Sequence, residues 1–296
     1  TPAATATQAP IPTVAPPQAT PVPGDDLAQA LGAGRLLVGT SLDNPPYDQY
    51  DENFRPDGFD IVLMTELAQR LGLQAEFNDF AFEGVLGALQ LRQVDAAIAA
   101  ITMTQDRVAV VDFTDPYWLG SDAIIAGPDS EIAAVTAPED LNGKKIGVQR
   151  GSVYEIYLTR TRVQTGLMPR QDLFAYVRLD DAVRDLQEKR VDLVLMDRLP
   201  ALNLESQGQA KIVGAGQGPQ PFAIAVRKGS TLLPELNRAL AEMRSDGTLA
   251  ALAEEYLQIS PEVVEDIATA IPTPTLMPTP VATPTPVPCI DGMAYV

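Results

Sequence analysis

Asp95-Ala-Ala-Ile-Ala-Ala-Ile101 sets six small or branched apolar residues behind one acid. The run is too short for a helix and reads as a strand buried on both faces. Upstream, residues 82–92 place Phe82, Val85, Leu86 and Leu89 on one helical face, and residues 74–77 form a strand. Further back, residues 59–71 space Ile61, Met64, Leu67, Ala68 and Leu71 as a helix that ends near Gly72. Arg35-Leu-Leu-Val-Gly-Thr40 is another buried strand, followed by loop chemistry in Asp43-Asn-Pro-Pro-Tyr47 and on to Pro56-Asp-Gly58. The order is β-α-β-α-β with short connections, which requires a parallel sheet covered by helices.

The same pattern restarts downstream. Lys145-Ile-Gly-Val148 is a strand, Arg150-Gly-Ser152 leads into a helix near 153–162, and residues 172–177 are a weak strand. Asp180 is expected to cap a helix over 181–190 that turns Ala182, Val183 and Leu186 inward. Residues 191–195 are a strand and 199–204 a helix. Phe222-Ala-Ile-Ala-Val226 is then a strand, and Ser230 is expected to cap a helix running through Arg244. Asp246-Gly247 stops that helix, and another follows over about 248–257. The fold class is α/β: two lobes, each a mostly parallel sheet flanked by helices, meeting near 124–130 with a ligand cleft between them.

Composition narrows the chemistry. The 296 residues include no His, which excludes His-based acid–base catalysis, Ser-His-Asp and Cys-His sites, and His-ligated metals. A single Cys289 excludes an internal disulfide and any Cys-cluster metal site. The net charge of −18 argues against a nucleic-acid partner. Residues 128–220 hold 13 acids and 12 bases, whereas the rest of 24–270 holds 25 acids and 9 bases, so one lobe carries almost all of the negative charge. Seven of the 26 Pro fall in residues 1–23 and seven in 271–288, amid Thr, Ala, Val and Gln, as in extended spacers. No Pro-free apolar run is long enough to span a membrane. The segments expected are a spacer over 1–33, lobe 1 over 34–126 plus 222–258, lobe 2 over 127–221, a helix or linker over 259–270 and a second spacer over 271–288. Residues 289–296 look similar to the opening of a truncated Ig-like domain.

Several stretches carry a resemblance. Gly58-Phe-Asp-Ile61 before an apolar helix, Asp95 through Arg107, Val111-Asp-Phe-Thr-Asp-Pro-Tyr117, Val191-Asp-Leu-Val-Leu-Met-Asp197, Val226-Arg-Lys-Gly229 and Arg244-Ser-Asp-Gly-Thr248 occur in one order over residues 34–258. Together they resemble family 3 extracellular solute-binding proteins, the polar amino-acid receptors of ABC importers, with the periplasmic-binding type II fold. Val62 departs from the family signature, which usually has an acid there.

The resemblance implies site residues, and their chemistry fits. An α-amino acid presents a carboxylate and an ammonium, and both must be matched when water is removed. Arg107 falls where the family places a bidentate carboxylate partner, although spacing alone also fits an ion pair with Asp106 or Asp112. Thr102 adds a hydroxyl and a backbone donor, and Ala100 belongs to the same segment. Asp197 takes the family position of the ammonium partner; by spacing it also fits an N-cap. Ser152 offers backbone N–H groups at a helix start, compatible with an N-cap, and Val153 occupies the next family position. Phe82 matches an aromatic that packs on the ligand side chain, or equally a core residue. Asn44 stands where many members carry a second aromatic. Ser41 stands where receptors for basic amino acids often carry Asp, and Asp43 could substitute or remain a loop acid. Asp79 and Glu83 are ambiguous in the same way.

The function implied is capture of a free L-amino acid, polar or cationic, by lobe closure and delivery to an ABC permease. No cofactor and no metal are expected. A monomer is expected, extracytoplasmic, secreted or lipid-anchored through a removed N-terminal segment. The alternatives are a cyclohexadienyl or arogenate dehydratase-like enzyme on the same fold, with Glu155 as general acid, and the sensing module of a surface receptor.

Overall fold

The computed structural model describes residues 25–215 and 218–258. In chain order, the first part holds helix α1 (Asp26–Ala33), strands β1 (Arg35–Thr40), β2 (Gln49–Tyr50) and β3 (Pro56–Asp57), α2 (Phe59–Arg70), β4 (Gln74–Asp79), α3 (Phe82–Gln90), β5 (Ala96–Ala97), α4 (Gln105–Val108), β6 (Val111–Phe113) and β7 (Trp118–Gly120). The middle holds β8 (Asp122–Ala126), β9 (Ile146–Gln149), α5 (Val153–Leu158), β10 (Leu173–Tyr176), α6 (Leu179–Gln187), β11 (Leu193–Asp197), α7 (Arg198–Ser206) and β12 (Lys211–Gly214). The chain returns through β13 (Gln220–Phe222), β14 (Ala225–Arg227), α8 (Leu232–Ser245) and α9 (Thr248–Leu257).

Two five-stranded sheets result, in the orders β4-β1-β5-β14-β6 and β10-β9-β11-β8-β12. In the first, β1 runs parallel to β4 and β5, whereas β14 is antiparallel to both β5 and β6. In the second, β9 runs parallel to β10 and β11, whereas β8 is antiparallel to both β11 and β12. Each lobe therefore has the same design, with one reversed strand in the fourth position. That strand lies next to the passage between lobes: β8 follows it outward and β14 follows it back. The passage itself is the antiparallel ladder of β7 and β13, Trp118 opposite Phe222 and Gly120 opposite Gln220.

Alternation along the strands divides the buried side chains between two faces. In lobe 1, Leu36 and Val38 join Phe59, Leu63 and Leu67 of α2 and Leu236, Leu240 and Met243 of α8. The opposite face packs Ala97 and Ala225 under Val85 and Leu89 of α3. In lobe 2, Ile146, Val148 and Leu195 pack with Tyr154 and Leu158 of α5, and Ile125, Val194 and Met196 pack under α6 and α7.

Five sequence expectations change. Residues 26–33 are not spacer but α1: Asp25 accepts from the Ala28 amide at 3.0 Å, and the buried Asp26 pairs with Arg227 at 3.1 Å. Residues 122–126 belong to the second sheet, so lobe 2 starts before 127. The strand expected over 95–101 pairs only at Ala96 and Ala97, because the backbone turns at Ala100 (φ 45°). The strand expected over 222–226 is divided between the lobe-to-lobe ladder and the first sheet. Asp180 lies inside the first turn of α6, which Arg178 precedes as N-cap. Ser230 does serve α8: Thr231 immediately precedes the helix, and the Ser230 hydroxyl accepts from the Leu232 amide at 3.3 Å. The expectations for residues 1–24 and 259–296, including both Pro-rich spacers and the Ig-like start, lie outside the described residues.

Gly58 fixes how α2 begins. The amides of Phe59 and Asp60 bond to the carbonyls of Pro46 and Tyr47 at 3.0 and 2.8 Å. A Cβ on Gly58 would lie 2.5 Å from the Tyr47 carbonyl oxygen, and its φ of 115° disfavours any side chain. Gly58→Ala is expected to lower stability by about 1–3 kcal/mol, read as an earlier midpoint in urea unfolding followed by circular dichroism. An unchanged midpoint would show that the 45–48 loop can give way.

Candidate functional site

Arg107 is the cation of the cleft. It lies in the single turn of α4, whose N-cap Thr104 accepts from the Arg107 amide at 3.3 Å. Its side chain is buried, with 8% of the residue exposed. One guanidinium nitrogen donates to the Thr102 carbonyl at 2.8 Å and another crosses to the Gly151 carbonyl of lobe 2 at 3.1 Å. The guanidinium carbon lies 5.4 Å from the centroid of the Phe82 ring, a cation–π distance. Burial pulls the Arg107 pKa down to about 10, while the field of Asp197 acts the other way. The surface pairings that spacing allowed are taken elsewhere: Asp106 pairs with Arg160 and Asp112 with Lys228.

Asp197 supplies the opposite charge from the carboxyl end of β11. It occupies the N-cap position of α7, yet its side chain makes no capping bond. Its oxygens instead accept from Asn44 Nδ2 of lobe 1 at 2.9 Å and from the Tyr154 hydroxyl at 2.6 Å. Burial lifts its pKa to about 6; the Tyr154 and Asn44 bonds and Arg107 oppose that rise, and Asp122 adds to it. Gln220, on the return strand between lobes, donates to the Tyr154 hydroxyl at 3.1 Å and accepts from the Thr102 hydroxyl at 2.9 Å. A continuous chain thus runs from Thr102 through Gln220 and Tyr154 to Asp197 and back to lobe 1 at Asn44.

The other expected residues separate into two groups. Ser152 caps α5 by accepting from the Glu155 amide at 3.3 Å, and it lies directly beside Gly151. Val153 puts its side chain into the lobe 2 core. Phe82 packs against the lobe 1 core and lines, with Val85, Leu86, Ile101, Arg107 and Gly151, a recess between the lobes. Ser41 is buried and does not line this recess. Asp43 faces lobe 2: it accepts from both the Gln149 side chain and the Leu179 amide at 3.1 Å. This carboxylate holds the start of α6, where the helix dipole favours an anion. Asp79 accepts from the Tyr50 hydroxyl at 3.2 Å and approaches Arg178 at 3.7 Å, and Glu83 approaches Arg150 at 3.4 Å. Glu155, the acid that a dehydratase would use, accepts from the Gly151 amide at 2.8 Å.

These pairs share a polarity. Asp79, Glu83 and Asp106 come from lobe 1, and Arg178, Arg150 and Arg160 from lobe 2. The lobes touch closely at Gly151, where a Cβ would lie 2.9 Å from the Glu83 Cα. Tyr154 and Gln220 were not expected in the site. The only hint in the sequence was position: Tyr154 follows two candidate residues, and Gln220 lies between prolines at the second crossing.

Among the described residues, no group of three or more His, Cys, Asp or Glu is placed to hold a metal ion, and no helix is long and apolar enough to cross a membrane. The arrangement can hold a small molecule with separated negative and positive groups, one facing each lobe.

Comparison with known proteins points the same way. The chain is 34% identical over 226 residues to the L-cystine-binding protein TcyJ of Escherichia coli (strain K12), covering 75% of this chain and 82% of that protein. It is 32% identical over 234 residues to the arginine-binding extracellular protein ArtP of Bacillus subtilis (strain 168), covering 76% and 87%. Among solved structures, an ancestral arginine-binding protein bound to arginine superposes with a TM-score of 0.70 at 37% identity, covering 75% of this chain and 98% of the other. The family model that describes bacterial extracellular solute-binding proteins, family 3, matches residues 36–259. With that match, and with relatives of this similarity over more than four fifths of their lengths, the chain belongs to family 3 of the bacterial extracellular solute-binding proteins.

Proposed function

We propose that this protein is a receptor for a free α-amino acid, polar or cationic, closing its two lobes around the ligand and delivering it to an ABC permease. The observation that carries the reading is a buried cation on lobe 1, Arg107, and a partly buried anion on lobe 2, Asp197, on either side of one cleft. An amino-acid carboxylate and ammonium satisfy both charges, so closure is favoured by contacts that only the closed form makes. Relatives named for binding cystine and arginine support a polar or a cationic side chain, and the nearby acids Asp43, Asp79 and Glu83 are each engaged by lobe 2 groups. The reading is of a binding protein rather than an enzyme. It acts as a monomer outside the cytoplasm, secreted or held at the surface by a lipid anchor.

A thermal-shift panel of the twenty amino acids is expected to show a raised Tm for at least one polar or cationic member; no shift with any of them would sink the reading. Arg107→Ala is expected to weaken binding of that amino acid by at least about 100-fold, since truncating one member of a buried charged contact costs roughly 2–5 kcal/mol. Isothermal titration measures this, and wild-type affinity in the variant would reassign the carboxylate site.

Affinity is also expected to depend on acidity. The ligand ammonium needs Asp197 ionised, and that carboxyl titrates at about 6. The titratable and charged groups that act on it are Tyr154, Asp122 and Arg107. Binding should therefore be full above that pH and fall as pH drops through it, toward about tenfold per unit. Titrations at pH 5 and pH 7.5 test the sign, and Asp197→Asn should bind weakly with a flat profile.

A further inference from the structure

The acid of the Gly58-Phe-Asp-Ile61 motif has a task beyond starting a helix. Asp60 is fully buried in the first turn of α2. One carboxylate oxygen, Oδ2, accepts from the Ala100 amide at 2.7 Å and from the Tyr117 hydroxyl at 2.9 Å. Ala100 has a φ of 45°, left-handed backbone that an L-residue with a Cβ seldom adopts. Six non-glycine residues share positive φ among those described, and only Ala100 and Leu42 of the six are buried. The others lie in exposed turns or helix ends, where such geometry is ordinary.

The turn at Ala100 sets the course of the next three residues. Ile101 and Met103 bond to the return strand, the Ala223 amide to the Ile101 carbonyl at 3.1 Å and the Met103 amide to the Pro221 carbonyl at 2.9 Å. Thr102 faces Phe222 between these bonds, so its own amide and carbonyl turn to the opposite side. That carbonyl is the one that holds the Arg107 guanidinium at 2.8 Å. Tyr117, the other donor to Asp60, leads into β7 and bonds through its amide to the Phe222 carbonyl at 2.9 Å. One buried carboxylate oxygen therefore joins the start of α2, the ligand segment and the passage between lobes.

We infer that Asp60 is a positioning residue of the ligand site: by holding the Ala100 amide it keeps the chain turned so that Thr102 aims the Arg107 guanidinium into the cleft. This rests on the amino-acid reading only for the choice of ligand. Asp60→Ala is expected to weaken binding at least tenfold in isothermal titration with L-arginine, L-glutamine and L-cystine as probes. Adding Ala100→Gly, which adopts positive φ without a Cβ, is expected to restore most of that loss. Asp60→Asn keeps an acceptor oxygen and should stay within about threefold of wild type.

The ligand-free protein carries an independent signature. The Arg107 side-chain N–H resonances should shift or broaden in Asp60→Ala and recover in the double variant. Wild-type affinity in Asp60→Ala, or a double variant no better than the single one, overturns the inference. So does a folded Asp60→Asn that loses more than tenfold, because the residue would then act through its charge. If Asp60→Ala does not fold, the Asp60→Asn titration decides. If the wild type binds none of the probes, the receptor reading fails, while the Arg107 resonances still test whether Asp60 aims that side chain.

Discussion

A guanidinium that keeps its proton at neutral pH has to be withdrawn from water and still be satisfied. Arg107 meets this constraint with two backbone carbonyls, an aromatic face and the field of Asp197. One of the carbonyls belongs to the opposite lobe, so both lobes share in replacing the water around the charge. The lowered pKa records the cost of burial and leaves Arg107 charged at neutral pH. Asp197 answers the same problem from the other side, held by one donor from each lobe. The loop geometry around residues 41–48, the turn at Ala100 and the small residue at position 151 all serve this pairing.

The rim has a different role from the centre. Its ion pairs are partly exposed, with side-chain exposures of 30% and 51% for Arg160 and Asp106, and such pairs contribute at most about 1 kcal/mol each. Their uniform polarity, acid on lobe 1 and base on lobe 2, instead favours one alignment of the two faces over its neighbours. The uneven charge of the chain thus has a structural use: the acidic lobe meets a lobe that keeps its arginines where the acids arrive.

Most of this plan was legible because buried strands and amphipathic helices leave strong periodic marks. Strands β1, β9 and β11 and helices α2 and α8 could be placed within a few residues, and the two-lobed order followed from them. The lobe boundary was less legible, because Ala123 to Ala126 is an apolar run that would suit either sheet, and only pairing decides which. The break after Ala97 was hidden for the same reason: Ile98 through Ile101 is as apolar as any strand, and the turn at Ala100, whose amide donates to distant Asp60, leaves no local mark. Arg107 and Asp197 were found through the order of motifs around them. Tyr154, Gln220 and Asp60 were not, because each acts through partners at least 40 positions away in sequence.

The strand order has a consequence for how the molecule is made. Lobe 2 builds its sheet from one unbroken stretch, β8 through β12, whose contacts can form as soon as that stretch is complete. Lobe 1 cannot: β14, between β5 and β6, is supplied only after the whole of lobe 2. Until then β5 has one open edge, β6 has no partner strand, and Leu36, Val38 and Phe59 lack the cover of α8. A chain emerging from its N-terminus therefore carries an unfinished first lobe through most of its synthesis and completes it with the last elements. The half synthesised second becomes ordered first, and Asp60, on which the turn at Ala100 rests, waits in an unfinished core for the return strand to arrive.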